Sequence, residues 1–272
     1  MYTANSEWLT RWQKEAGGMD EVSSVDYWNR RADDYDDFIR TSRFSYGRQI
    51  VRLLKKEQVL DKYDKVLEIA GGVGALTLPL CKAAKHVTSL EPAAKMAECL
   101  DNNLKTDNIR NCEVLQMTGQ EYMGSAPAQR FDFGIICHAS WQFPDLQDLV
   151  DYFSKICTRA CIADTAPETD SGHSRLLESL GVKHAGFDRV YVLYNALWSL
   201  GTKANISFFN YTMRRSRQSA ISMLKNVTGK YKQVTDTDMQ KINKYVDANC
   251  TEGIYQEPAC MAVIWWKTGR RP

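Results

Sequence analysis

The chain predicts an α/β fold, a doubly wound and mostly parallel seven-stranded sheet with an antiparallel last strand, and three observations carry that expectation. Short apolar runs alternate with amphipathic stretches at a regular pitch from Lys65 to Asp164, which is how parallel strands joined by right-handed helical crossovers are written. The run Lys65-Val66-Leu67-Glu68-Ile69 passes through Gly71, Gly72 and Gly74 into Leu76, Leu78 and Leu80, the strand, turn and helix opening of a nucleotide-binding unit. Two late apolar runs, Asn205 to Tyr211 and Ala259 to Trp266, stand about 50 residues apart and predict an antiparallel edge pair with helices inserted between them.

Taken in order, residues 5 to 60 predict helix, with Trp8 and Trp12 at i,i+4, then Val25, Trp28, Ala32, Tyr35 and Phe38, then Ile50, Leu53 and Leu54. The aromatics Tyr27, Trp28, Tyr35, Phe38, Phe44 and Tyr46 can cover either a ligand or the core. The first strand, Lys65 to Ile69, precedes a helix from Gly74 to Ala84. A second strand, His86 to Glu91, leads to a helix from Pro92 to Leu104 with Met96, Ala97 and Leu100 on one face. Cys112 to Gln116 and Phe131 to Cys137 are the third and fourth strands, Leu146 to Ile156 a helix, and Ala160 to Asp164 the fifth strand. Beyond a loop at Pro167 to Gly172, helices are expected at Ser174 to Leu180, Phe187 to Leu200, Ser216 to Val227 and Asp236 to Cys250. One structural domain is expected, divided into a helical lid segment (1–60), a ligand-binding half (61–165) and a C-terminal half (166–272) with further helices and the edge strands.

With 272 residues, 44% of them hydrophobic and 25% charged, the chain can bury a sizeable core. A net charge of +2 argues against a protein whose main task is polyanion binding. The charge is unevenly spread, with Glu15, Asp20, Glu21, Asp26, Asp33, Asp34, Asp36 and Asp37 early, and Arg189, Lys203, Arg214, Arg215, Arg217, Lys225, Lys230 and Lys232 late. These stretches are either two solvated faces, or segments that pair over a cleft or receive an anionic substrate. The eight cysteines have neither CxxC nor metal-type spacing, so reduced thiols and no metal are expected. No signal peptide and no membrane-length apolar run is present, which points to a cytoplasmic protein without a membrane partner. The Asn-x-Ser/Thr matches at Asn205, Asn210, Asn226 and Asn249 are then chance.

The glycine loop fails two competing motifs. A dinucleotide loop needs a third glycine where Thr77 stands, and a phosphate loop needs a following Gly-Lys-Ser/Thr. What Glu68-Ile69-Ala70-Gly71-Gly72-Val73-Gly74 resembles is motif I of the class I S-adenosylmethionine-dependent methyltransferases, small-molecule branch, which implies a Rossmann-like fold. Glu68 takes the acidic position, Ala70 replaces the first glycine, Gly72 and Gly74 are the second and third, and Gly71 restores freedom to the turn. The resemblance implies that Glu91 accepts hydrogen bonds from both ribose hydroxyls, that Pro92 and Met96 wall the ribose and adenine, and that the loop Gly119-Gln120-Glu121 meets the adenine amino group. It places Cys137-His138-Ala139-Ser140-Trp141 at motif IV, facing the methionine moiety, and Tyr27 and Tyr35 in an N-terminal lid. The implied cofactor is S-adenosyl-L-methionine, leaving as S-adenosyl-L-homocysteine.

Methyl transfer needs an in-line nucleophile, a dry site and removal of any proton the nucleophile carries. His138, just past a strand's carboxyl end, is the candidate base, its ordinary pKa suiting proton uptake near neutrality. His173 and His184 are alternatives for the acceptor pocket, whereas His86 opens the second strand at its far end. Trp141 and, on the aromatic helix, Tyr191, Tyr194 and Trp198 are candidate acceptor-binding residues. Nothing resembles the Asn/Asp-Pro-Pro-Tyr tetrad of nucleic-acid amino methyltransferases, so a small-molecule acceptor, possibly anionic, and no nucleic acid are expected. The expected activity is transfer of a methyl group to an O, N, S or C atom of that acceptor. The alternatives are a non-catalytic cofactor-binding sensor or assembly protein and, more distantly, an NAD-dependent oxidoreductase. Oligomeric state is left open.

Overall fold

A computed structural model describes residues 6–18, 23–125, 130–166, 172–182 and 188–269. Three helices come first, α1 (Ser6–Gly17), α2 (Val25–Thr41) and α3 (Ser45–Lys56). The alternating section follows as β1 (Lys65–Ile69), α4 (Thr77–Cys81), β2 (His86–Leu90), α5 (Ala94–Thr106), β3 (Cys112–Leu115), α6 (Gly119–Gly124) and β4 (Phe133–Cys137). After a 3₁₀ turn at Ser140–Gln142 come α7 (Leu146–Ile156), β5 (Arg159–Ala166), α8 (Gly172–Ser179) and α9 (Arg189–Ser199). The chain ends with β6 (Asn205–Ser216), α10 (Arg217–Gly229), α11 (Asp236–Ala248), the short β7 (Cys250–Thr251) and β8 (Ile254–Lys267).

The strands form one doubly wound sheet in the order β3-β2-β1-β4-β5-β8-β6, with β7 paired to β8 off that path. The first five are parallel, and β8 runs antiparallel between β5 and β6, as in the pairs Ile162 with Ile264 and Phe209 with Met261. Seven strands were expected; the eighth is the two-residue β7, too short to leave a periodic signal. Strand alternation sorts the core into two layers. Val66, Phe133, Ile135 and Val263 face α2, α3, α4 and α5, while Leu67, Ile69, Ile136 and Ile264 face α1, α7 and α9. A satellite cluster of Leu177, Leu224, Ile242 and Tyr255 holds α8, α10 and α11.

The segments that carry the acidic and basic stretches pack against each other, while Asp33, Arg214, Arg217 and Lys225 stay exposed. Asp34 on α2 takes Arg31 Nε at 2.8 Å and Asn226 Nδ2 at 3.2 Å, and Asp37 accepts from the Ser216 backbone N–H at 2.8 Å. These contacts pin α2 to β6 and α10 and so fix the helix over the carboxyl ends of the parallel strands. Gly119-Gln120-Glu121, expected as a loop, opens α6, because Thr118 caps the helix and Glu121 completes a reciprocal capping box.

Gly47 sets how closely α3 meets the chain after the glycine loop, since a Cβ there would stand 2.0 Å from the Ala75 carbonyl oxygen. Gly47→Ala should therefore lower stability by about 1–3 kcal/mol, read as a lower denaturant midpoint. An unchanged midpoint would show that α3 can move away freely.

Candidate functional site

The glycine loop is built from the base upward. Glu68 is buried, and its Oε2 accepts from Thr77 Oγ1 at 2.6 Å and Ser89 Oγ at 2.8 Å, joining β1, α4 and β2 beneath the loop. Burial raises its pKa to about 7 against those two hydroxyl donors. Above it Ala70 has φ 63° and Gly72 φ 58°, the left-handed region that costs a non-glycine residue about 1 kcal/mol. Gly71 is not the flexible member of the turn: a Cβ on it would meet Ser89 Oγ at 2.1 Å, so it is glycine for space. Gly74, at φ 97°, would press a Cβ on Leu78 and Leu100.

The loop then orients the acid of the next strand. Glu91, one residue past β2, accepts from Gly72 N through Oε2 and from Ala93 N through Oε1, both at 2.8 Å. Each oxygen keeps a lone pair for a further donor. Burial lifts its pKa to about 6, against the two backbone bonds.

A cavity of about 440 Å³ opens here, a volume suited to a small-molecule ligand. Ala70, Gly72, Glu91, Pro92, Met96, Gln120, Cys137, His138, Trp141 and Tyr35 line it, all of them read from the sequence as site residues. Ser23, Ser24, Val25, Trp28, Ala93, Thr118, Ala139 and Gln142 complete the wall; Trp28 and Ala139 stood in stretches the sequence allowed beside a ligand, and the other six were not expected there. Thr118 carried a signal, since it heads the Thr-x-x-Glu capping box. Gln120 Nε2 donates to the Gln142 carbonyl, which fixes the amide at the wall.

Other expected site residues lie elsewhere. Glu68, Gly71 and Gly74 support the loop from below, Glu121 spends its carboxylate on the Thr118 cap, and Gly119 is closed in by Phe143 and Ile69. Tyr27 turns away from the cavity, its hydroxyl accepting from Arg31 at 2.7 Å and its ring carrying Lys230 Nζ at 4.0 Å. Tyr191 (53% exposed), which stacks edge-on with Trp8, and Trp198 (62% exposed) face outward. Tyr194 donates to the Ala204 carbonyl. None of the three lines the cavity, because α9 packs on α1. His184, Phe187 and the side chain of His173 lie outside the described residues.

At the methionine end of the expected cofactor position, β4 closes in His138 at φ 60°. Its backbone N–H donates to Ala163 O at 2.9 Å and its carbonyl accepts from Trp141 Nε1 at 2.9 Å. The ring lies edge-on to Tyr46 at 5.4 Å, and Nδ1 is 3.2 Å from Asp164 Oδ1. Asp164 also takes Arg189 Nη2 at 3.1 Å. Burial works against the Asp164 charge, yet Arg189 and His138 outweigh it and hold the carboxyl below its usual range. Burial likewise opposes an imidazolium, but the Asp164 carboxylate favours it and raises the His138 pKa above its ordinary value. The Cys137 thiol is itself pushed up by burial and stays neutral near pH 7, so Asp164 supplies the charge that matters. The ordinary pKa expected for His138 is thus corrected upward. Arg189, which the sequence reading placed in the late basic stretch without a site role, belongs to this cluster.

The comparisons with known proteins agree with this geometry. Residues 43–122 match the family model described as ribosomal RNA adenine dimethylase. A structure assigned as a methyltransferase from Bacillus halodurans C-125 aligns at TM-score 0.53 and 13% identity, covering 81% of this chain and 99% of that one. One assigned as a type II methyltransferase from Anaeromyxobacter dehalogenans aligns at 0.53 and 16%, covering 81% and 96%. The chain has the class I methyltransferase fold. The cavity fits the cofactor that this fold implies, S-adenosylmethionine: a Cβ on Gly72 would enter open space within the wall, and Glu91 presents a buried carboxylate there.

Among sequence relatives, ribosomal RNA small subunit methyltransferase A of Desulforapulum autotrophicum is 34% identical over 64 residues, 24% of this chain. The chain spans only 22% and 28% of the length of two such curated relatives. An uncharacterized protein of Haemophilus influenzae is 20% identical over 250 residues, 89% of each chain. The expectation that excluded nucleic acid does not stand beside the ribosomal RNA family match and is withdrawn.

Because only an ionised Glu91 accepts from two hydroxyls, S-adenosylhomocysteine affinity should be level above about pH 7 and fall as pH drops through about 6. Calorimetry at several pH values checks this, and Glu91→Gln should cost about 1.5–3 kcal/mol of binding at pH 7.5. Gly72→Val, which fills the cavity and strains the turn, should abolish binding in a protein that still unfolds cooperatively.

Proposed function

We propose that the chain is an S-adenosylmethionine-dependent methyltransferase acting on an O, N, S or C atom of a small-molecule acceptor. The observation that carries this reading is that His138, held by Asp164 and through it by Arg189, lines the cofactor cavity, so an acceptor group reaching His138 also reaches the methyl end of the cofactor. S-adenosylmethionine, when bound, supplies a methyl group already activated on a sulfonium. The chain's own residues then hold, dry and deprotonate. Gly72, Glu91, Pro92, Met96 and Gln120 hold the nucleoside, and Val25, Trp28 and Tyr35 of α2 roof the cavity against water. Asp164 engages His138 Nδ1, which leaves Nε2 as the atom that takes an acceptor proton. A small acceptor suits a cavity roofed by a helix that is pinned to β6 and α10.

A second reading, a base in RNA as the acceptor, is favoured by the ribosomal RNA adenine dimethylase match over 43–122. Incubation with methyl-labelled donor and both total RNA and a metabolite extract separates the two, since label appears in one fraction or the other. Among the described residues no helix is long and apolar enough to cross a membrane, and Cys81, Cys99, Cys112, Cys137, Cys161 and Cys250 carry free thiols, which suits a reducing, cytoplasmic setting.

If His138 is the base, its held proton must leave first, so kcat/KM should climb with pH between about 6 and 9. His138→Ala should lower kcat by about 10²–10⁴-fold while leaving S-adenosylhomocysteine affinity within about threefold. A pH-independent rate with unchanged turnover in the variant would remove His138 from the chemistry. Binding of NAD in place of S-adenosylhomocysteine would overturn the methyltransferase reading itself.

A further inference from the structure

A second groove, of about 320 Å³, lies apart from the cofactor site, where the α2–α3 turn meets α4. Phe44, Leu78 and Pro79 give it apolar walls, and Arg40, Arg43, Arg48 and Lys82 give it charge. Arg40 leans on Asp36 at 2.8 Å and Lys82 on Asp107 at 2.6 Å. The guanidinium groups of Arg43 and Arg48 make no ion pair or hydrogen bond among the described residues. Arg43 at φ 52° and Phe44 at φ 54° are consecutive left-handed residues that both line the groove, the Phe44 ring half-buried against the core. From Arg48 the charge continues along α3 through Arg52, Lys55 and Lys56, at i+4, i+7 and i+8. All four are exposed, while Ile50, Val51 and Leu54 are buried on the opposite face. At 1.5 Å per residue that ridge adds about 12 Å to the groove.

We infer that this face binds single-stranded nucleic acid, with the α3 ridge tracking the phosphates and the Phe44 ring in the groove stacking an unpaired base. Guanidinium forks suit phosphate oxygens, and an aromatic set between them suits a base rather than an acidic side chain. A duplex keeps its bases stacked and offers nothing to Phe44. The inference goes beyond the transferase reading and holds whichever acceptor is methylated, because no groove residue lines the cofactor cavity.

The test is fluorescence anisotropy of a labelled, unstructured RNA of about 12 nucleotides at about 50 mM salt, with no cofactor present. Binding should weaken steeply with salt. The R43A/R48A/R52A variant should lose at least about tenfold in affinity and about 2 in the slope of log K against log salt. Its affinity for S-adenosylhomocysteine should match that of the unaltered protein, which shows that it folds; if it does not fold, Arg52→Ala alone, at an exposed site, should weaken RNA binding about threefold. Equal RNA affinity in the altered and unaltered proteins, or binding of phosphatidylserine vesicles with none of RNA, overturns the inference. Loss of S-adenosylhomocysteine binding by the unaltered protein would sink the transferase reading and leave this one standing.

Discussion

The site depends on one buried carboxylate. Glu68 draws the Thr77 and Ser89 hydroxyls to a single oxygen, and so ties β1, β2 and the start of α4 at one point under the glycine loop. That closeness leaves no room for a side chain on Gly71 and forces the chain to reverse through Ala70 and Gly72. The reversal aims the Gly72 N–H at Glu91, which orients the second carboxylate toward the cavity. One acid builds the turn and the next one faces the cavity. A charge buried this way is stabilising only while its hydrogen bonds are complete, which is why the hydroxyl types at 77 and 89 matter as much as the acid.

The roof over the cavity is held by polar contacts rather than by apolar area alone. Asp34 and Asp37 on α2 meet Arg31, Asn226 and the Ser216 backbone, while Arg215 lies over the Phe38 ring at 4.5 Å. The Arg31–Asp34 pair is buried inside the chain, whereas Arg48, Arg52, Lys55 and Lys56 stand exposed on α3, which the overall charge of +2 does not show.

The fold was legible because alternation and amphipathic period are local properties. Val66 and Leu67 already point to opposite layers by their positions, and the spacing of Asn205–Tyr211 from Ala259–Trp266 implied the antiparallel edge. Glu91, Pro92 and Met96 were legible through the resemblance of their stretch to the methyltransferases, and all three line the cavity beyond the carboxyl end of β2. Contact and support, however, look alike in a motif: Glu68 and Gly71 stand beside the ligand residues in the chain but below them in space. The aromatic stripe on α9 was ambiguous because a helical period shows that a face packs without showing against what, and here the partner is α1. The raised pKa of His138 was hidden entirely, because Asp164 and Arg189 come from β5 and α9.

On the proposed function, one cavity joins Glu91, at the nucleoside end, to His138, at the methyl end. A crystal structure with S-adenosylhomocysteine tests it most directly. The ribose hydroxyls should lie within hydrogen-bond distance of the Glu91 carboxylate, with the sulfur on the His138 side of the cavity. A ribose bound away from Glu91, or a sulfur turned from His138, would contradict it.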